Sequence, residues 1–331
     1  MIELVNVPSL TTIQDLGRYG YQKFGIPVSG VMDEVSARLA NYLVGNHDNA
    51  PLIEFVLKGP TIRFHSSAVF AVAGDVDVKL NGTPIEPWQS HWARRGDVLE
   101  IGTLTSGVYG YIAFAGGINC EKILGSCSTY LRAKLGRALK QGDKLSLGYA
   151  ILTGKEGKVL PEALIPRYSD ESEIRVILGP QLEHFTQEGI ETFLSSAYEV
   201  TPNSDRMGYR LEGPRIEHSE KGADIITDAI PHGAIQVPAN GKPIIMLADR
   251  QTTGGYAKIG VVARADVARV AQTRAGGKLR FRAVTVEEAQ ELLRRRERRL
   301  KAIEKLLKNE ARAYKIKIGG KEFLAFVEKE E

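Results

Sequence analysis

Val69-Phe70-Ala71-Val72-Ala73-Gly74, followed after one residue by Val76-Asp77-Val78-Lys79-Leu80-Asn81-Gly82, is the stretch on which the fold reading turns. The first run is continuously apolar and rich in β-branched and aromatic residues, as a buried strand requires. The second alternates apolar and polar residues with period two. It then meets Asn81-Gly82, a pair that readily adopts the two positive φ angles of a tight hairpin turn. Two further runs, Val98 to Gly102 and Tyr109 to Ala115, extend the pattern as far as Gly116-Gly117. Glycine, at 34 residues, mostly punctuates such runs rather than helices, so the first half reads as mainly β and barrel-like.

The clearest helix of that half starts after Asp33. Asp33 is placed as an N-cap, and Val35, Leu39, Tyr42 and Leu43 recur at helical spacing before Gly45, which suits the left-handed position just past a helix end. A second β-rich unit opens with Ile174 to Leu178 and Gly179-Pro180, passes a short helix with Leu182, Phe185, Ile190 and Phe193 on its apolar side, and resumes at Gly233 to Val237 and Pro243 to Ala248. Thr285 and Glu288 then form a T-x-x-E capping box, with helical spacing from Ala289 through about Ala311. Alternating Tyr314, Ile316 and Ile318, a turn at Gly319-Gly320, and a return from Phe323 to Val327 make a closing hairpin. The fold expected is therefore mainly β with some helix. It has a first unit over 1–150, a connection over 151–173, a second unit over 174–284, and a helix and hairpin over 285–331. Both β units run an apolar strand into Gly-Gly (Gly116-Gly117, Gly254-Gly255), which hints at duplication.

Composition narrows the function. With 331 residues the chain exceeds one hydrophobic core, and with 43% apolar and 25% charged residues it is ordinary for a globular protein. The net charge is only +4, and much of the basic excess sits in Arg294, Arg295, Arg296, Arg298, Arg299 and Lys301, so no nucleic-acid surface is indicated. That run reads as a solvated helix face, with an acidic partner as the rival reading. No apolar run approaches the roughly 18 residues of a membrane span, and the start has no secretory-signal pattern. Cys120 and Cys127 make neither a disulfide framework nor a CxxC pair, so a cytoplasmic chain with reduced thiols is expected. The histidines (His47, His65, His91, His184, His218, His232) show no metal-ligand spacing, and no P-loop or G-x-S-x-G elbow is present.

Three clusters carry chemistry. The first is Gln14-Asp15-Leu16-Gly17-Arg18-Tyr19-Gly20 with Gly25 to Asp33, where dense glycines and a helix start would admit an anion; a turn-rich connection explains the composition as well. The second is Ser204-Asp205-Arg206-Met207-Gly208-Tyr209-Arg210, whose guanidinium groups suit a carboxylate or a surface ion pair. The third joins Gln236 to Asp249-Arg250-Gln251-Thr252-Thr253-Gly254-Gly255. Acid, base, amide and hydroxyl groups gathered after a buried strand suit a binding site on a rigid scaffold, or a buried polar network. Together they point to a polar, glycine-lined cleft for a small carboxylate or amide.

QDLGRYGYQKFGIPVSGVMD, LIEFVLKGPTIRF, LGSCSTYLRAKLG, SDRMGYRLEG, GAIQVPANGKPI and LADRQTTGGYAKIG also resemble, in order over about residues 1 to 290, the biotin-dependent carboxyltransferase or allophanate-hydrolase-subunit-2-like family, which includes KipA and the C-type component of 5-oxoprolinase. The resemblance implies two cyclophilin-like β-barrel units. It implies a hetero-oligomer with a KipI-like (B-type) 5-oxoprolinase component and an A-type component, in which ATP, bound at the level of the complex, drives the opening of 5-oxoproline to glutamate. A KipA-type antagonist of a kinase inhibitor, and a carboxyltransferase half of a urea-type carboxylase, are the alternatives within that family. No Met-Lys-Met hairpin is present, so the chain does not itself carry covalent biotin. Carried over by motif, Asp249, Arg250 and Gln236 would be catalytic, and Ser29, Gly30, Asp33, Arg206, Gln251 and Thr252 would bind substrate. The family usually has arginine where this chain has Cys127, and the loop before Leu135-Gly136-Arg137 is shortened; a cysteine nucleophile there would have no histidine near it in sequence.

Overall fold

A computed structural model describes residues 1–309, 311–318 and 321–328 of the chain. Two sheets dominate. The first has nine strands, and its main path runs Thr11–Gln14, Leu52–Val56, Val98–Phe114, Thr61–Phe64, Ile2–Asn6 and Lys144–Leu145. Ala68–Leu80 branches from it by pairing with Val98–Phe114, Thr83–Ile85 and Ser90–Ala93. The second closes into a barrel of Glu171–Leu178, Lys258–Val262, Ala234–Gln236, Ile244–Met246, Gly208–Glu212, Ala197–Val200 and Lys278–Ala283, the last strand running parallel to the first.

The hairpin expected at Asn81-Gly82 is present, with Leu80 opposite Thr83. The runs on either side of Gly74 are one strand, Ala68–Leu80, rather than two, and Val98 to Ala115 is likewise one strand, Val98–Phe114. Glycine at these places bends a ribbon without ending it: the pairing register shifts between Ala73 and Asp75, and Gly74 has φ 152°.

The first α-helix, α1, spans Glu34–Leu43, and the Asp33 carboxylate accepts from the N–H groups of Val35 and Ser36. Gly45 follows at φ 69°. Helix α2, Gln187–Ser195, is capped by Thr186. Helix α3, Val267–Ala271, sits against the barrel strand Glu171–Leu178. Helix α4, Val286–Leu307, has the expected capping box in both directions, Glu288 N to Thr285 Oγ1 and Thr285 N to Glu288 Oε2. It ends at Leu307, earlier than its spacing suggests, because Ala311–Ile318 pairs as a strand with Lys321–Glu328. The turn expected at Gly319-Gly320 lies outside the described residues. Thr285→Ala should cost about 1 kcal/mol of stability in denaturant unfolding, as loss of an N-cap does.

One apolar cluster lies within the first sheet around Phe55, Phe64, Phe70 and Phe114. A larger one is shared, running from Leu39, Tyr109 and Tyr111 to Ile174, Val176, Ile235, Leu247 and Phe281. Helix α4 is tied across it to α1 by Arg38 Nη1 on Glu297 Oε2 at 2.8 Å. Its arginines divide: Arg294, Arg295 and Arg298 pair with Glu291 on the exposed side, while Arg296 turns in to Glu34 and the Arg264 carbonyl. No helix among the described residues is long and apolar enough to cross a membrane.

The thiols differ from expectation. Cys120 and Cys127 are joined in a disulfide, with Cα atoms 5.9 Å apart. Spacing alone does not show this, because a tight turn in which Ile123 and Ser126 exchange backbone hydrogen bonds brings the two ends together. Cys127 in this state is no nucleophile.

Candidate functional site

Residues 15–18 and 28–31 run close beside each other, with Arg18 N bonded to Val28 O at 2.8 Å and Val31 N to Asp15 O at 3.0 Å. Two glycines permit the approach. A Cβ on Gly17 would lie 2.7 Å from the Val28 carbonyl oxygen, and one on Gly30 would lie 2.9 Å from the Leu16 carbonyl carbon. Ser29, between them, takes a left-handed φ of 57° and bonds through its N–H to Ala248 O at 3.2 Å, which fastens this loop to the barrel strand end that carries Asp249 and Arg250.

Arg206 is the centre of the buried polar network. Its Nε donates to Asp249 Oδ2 at 2.8 Å, Nη2 to Asp249 Oδ1 at 3.2 Å and to the Gly30 carbonyl at 2.6 Å, and Nη1 to Glu54 Oε1. Glu54 Oε2 also accepts from Met32 N at 2.8 Å and the Tyr111 hydroxyl at 3.0 Å. Burial pushes the Glu54 carboxyl above its usual range, and the Arg206 charge opposes that shift. Arg206 itself stays firmly protonated: burial works against its charge, and the Asp249 and Glu54 carboxylates outweigh it. With four of its five N–H groups engaged, Arg206 has little left for a ligand.

Arg250 is the opposite case. It is 6% exposed, donates from Nε to the Ile230 carbonyl at 2.9 Å and from Nη1 to the Leu247 carbonyl at 3.3 Å, and meets no carboxylate among the described residues. Burial and the neighbouring Arg264 push its pKa down to about 10, still far enough above neutrality to keep it a cation. It faces a cavity of about 290 Å³ lined also by Ser29, Tyr19, Glu34, His232 and Arg264. The Ser29 hydroxyl is buried without a partner among the described residues. Burial, with Arg264 and Arg250 alongside, drives His232 well below its ordinary pKa, so it is neutral and takes a hydrogen bond from Arg264. Glu34, the cavity's carboxylate, is already shared by Arg38, Arg264 and Arg296. The cavity is therefore net positive, with one uncompensated guanidinium, a charge balance that suits a small anion.

The motif residues are thus divided. Ser29 and Arg250 line the cavity, while Gly30, Arg206 and Asp249 form the adjoining network. Asp33 is spent on structure: beyond capping α1 it accepts from the Tyr168 hydroxyl at 2.6 Å and Gln272 Nε2 at 2.9 Å. Gln236 is buried in the barrel, its Nε2 on the Tyr256 carbonyl at 3.5 Å, apart from this network. No hydrogen bond joins the Gln251 or Thr252 side chains to the cluster among the described residues. Sequence reading missed Glu54, a carboxylate in the middle of an apolar strand; the only signal was its place in Leu52-Ile53-Glu54-Phe55-Val56, where a charge facing a core demands a partner.

The model of the carboxyltransferase domain, subdomain A and B, matches residues 24–283. The chain belongs to that family. Among curated proteins it is 36% identical over 312 residues to the C-type component of 5-oxoprolinase from Haemophilus influenzae, covering 93% of this chain and 99% of that one. It is 32% identical to the corresponding 5-oxoprolinase component of Escherichia coli, covering 87% and 93%. Among solved structures it is similar to the urea amidolyase of K. lactis, with TM-score 0.86 and 31% identity, covering 91% of this chain and 20% of that one. In this family member the carboxyltransferase fold thus consists of the nine-stranded sheet and the barrel, with the Arg206 network where the two meet.

Proposed function

We propose that the chain is the C-type component of an ATP-dependent 5-oxoprolinase, acting in a complex with A-type and B-type components. The observation that carries this reading is coverage: the relatives named as this 5-oxoprolinase component match over almost their whole length, whereas urea amidolyase matches only as a fifth of a larger chain. The cavity supports it. A 5-oxoproline molecule is a small lactam bearing one carboxylate, and Arg250 supplies a buried cation with no carboxylate of its own.

In this reading Arg250 holds the substrate carboxylate, and the unpaired Ser29 hydroxyl bonds the amide group. Asp249 is fixed by Arg206 and sets the direction of the strand end on which Arg250 sits. Amide resonance makes the lactam carbonyl resistant to water, and phosphorylation of its oxygen, with ATP supplying the phosphoryl group, removes that resistance. Water then opens the ring, for a balance of 5-oxoproline, ATP and water to glutamate, ADP and phosphate. This chain's part is to bind and orient the lactam; biotin is not attached to it.

A second reading, a carboxyltransferase half that receives its carboxyl group from a carrier on another chain, is supported by the family itself and by the likeness to urea amidolyase. ADP release separates the two. The purified chain, alone and combined with its A-type and B-type partners, should release ADP only when all three proteins and 5-oxoproline are present. A stable complex whose ADP release ignores 5-oxoproline would move the assignment to the carboxyltransferase, or to a KipA-type regulatory protein.

A further inference from the structure

Arg18 is 1% exposed, yet two of its guanidinium nitrogens, Nε and Nη1, have no hydrogen-bond partner among the described residues. Its side chain is held by one bond, from Nη2 to the Ser128 carbonyl. Asp15 and Asp249 are the carboxylates close enough to act on its charge, and both are engaged elsewhere. Asp15 accepts from Gly17 N at 2.8 Å, Cys127 N at 2.8 Å, Ser126 Oγ at 2.6 Å and Ser128 Oγ at 2.5 Å. Asp249 accepts from both Nε and Nη2 of Arg206. Burial accordingly lowers the Arg18 pKa in spite of these two negative neighbours.

A buried charged donor without a partner is costly, and a fold keeps such a group chiefly where something else completes it. The backbone of Arg18 is bonded to that of Val28, next to Ser29, but the Ser29 hydroxyl lines the Arg250 cavity, in whose lining Arg18 takes no part. The surroundings of Arg18 are rigid: the loop over Ser126 to Ser128 is bound through Asp15 and closed by the disulfide at Cys127. Among the described residues no protein oxygen meets Nε or Nη1, so the partner left for them is an oxygen of water or of a ligand.

We propose that Arg18 is an oxyanion-binding residue, whose free N–H groups take oxygens of a carboxylate or phosphoryl group on a bound ligand, separate from the anion position at Arg250. The inference goes beyond the oxoprolinase reading and holds whether or not 5-oxoproline is the substrate. Guanidinium is suited to this place because it carries several donors on one rigid plane, so it can keep the Ser128 bond and still serve a ligand.

The test is calorimetric titration of the full chain with 5-oxoproline and, separately, with inorganic phosphate, for wild type, Arg18→Met and Arg18→Lys. Arg18→Met should weaken binding of one probe at least tenfold, with Arg18→Lys recovering part of it. Loss confined to phosphate assigns the phosphoryl group, and loss confined to 5-oxoproline moves the substrate carboxylate from Arg250 to Arg18. Thermal unfolding supplies the second readout. Because Met removes an unsatisfied buried charge, its Tm should equal or exceed that of wild type. Unchanged dissociation constants for both probes, a wild-type chain that binds neither, or a Tm lowered by several degrees with binding intact would overturn the proposal; the last would make Arg18 a structural brace. Should Arg18→Met fail to fold, Arg18→Lys and Arg18→Gln carry the same comparison. An Arg18-dependent affinity for phosphate in an assembled complex that shows no 5-oxoproline-dependent ADP release would leave this site standing and remove the oxoprolinase reading.

Discussion

Arg250→Ala should raise the KM for 5-oxoproline in the assembled complex by about one to two powers of ten, a loss of roughly 1.4 to 2.8 kcal/mol. Arg250 is a buried cation that meets backbone carbonyls and no carboxylate, so its charge is unbalanced until an anion arrives. The carboxylate of the substrate does not take part in the chemical step. It is held equally in the ground and transition states, so the loss belongs in KM and leaves kcat little changed. Folding should suffer by only about 1 to 3 kcal/mol, because alanine removes a desolvated charge, the Leu247 carbonyl keeps the Arg250 N–H at 3.2 Å, and the Ile230 carbonyl loses its bond to Nε. Steady-state kinetics at saturating ATP reads the effect, and an unchanged KM would take the carboxylate-holding role away from Arg250.

Arg206→Met should have the largest effect on stability, about 3 to 5 kcal/mol, the usual result of removing one partner from a buried ion pair. Methionine replaces the aliphatic stem of the side chain but strands Glu54 and Asp249, both nearly inaccessible to water, and leaves the Gly30 carbonyl without its donor. The pH dependence carries a definite sign. Burial already raises the Glu54 carboxyl, and Arg206 is the leading influence that lowers it. Without Arg206 the folded variant takes up a proton at a higher pH than the unfolded chain does. Its stability deficit against wild type should therefore shrink as pH falls toward the unfolded carboxyl range and grow as pH rises. Denaturant unfolding at pH 5 and pH 8 measures this, and a deficit equal at both values would show that Glu54 is not stranded. Adding Glu54→Gln should recover part of the loss, since an amide in that place has no charge to desolvate.

Local chemistry was the legible part of this protein. Asp33 as an N-cap, the Thr285 and Glu288 capping box, the Asn81-Gly82 turn and the left-handed Gly45 each depend on a few adjacent residues, and each is present. Gly74 misled because a glycine reads as a strand end, whereas a bulge there only bends a strand that continues to Leu80. The disulfide was hidden for a different reason: its pairing depends on a turn whose shape two cysteines and their spacing do not reveal. The candidate site divides along the same line. Ser29, Gly30, Arg206, Asp249 and Arg250 do assemble, since their motifs lie at loop and strand ends that the two sheets bring together. Which arginine stays free was not legible, because it depends on Glu54, a residue 152 positions away from Arg206 in the chain. Asp33 carried the same ambiguity: a carboxylate at a helix start can face a ligand or its own helix, and here Tyr168 and Gln272 complete the second choice.

The guanidinium of Arg206 touches Glu54 and Gly30 on the side of the nine-stranded sheet and Asp249 on the side of the barrel, so the seam of the molecule runs beside the cavity that Arg250 faces. A ligand that settles the charge on Arg250, one residue from Asp249, should therefore raise the midpoint of thermal unfolding as well as fill the cavity.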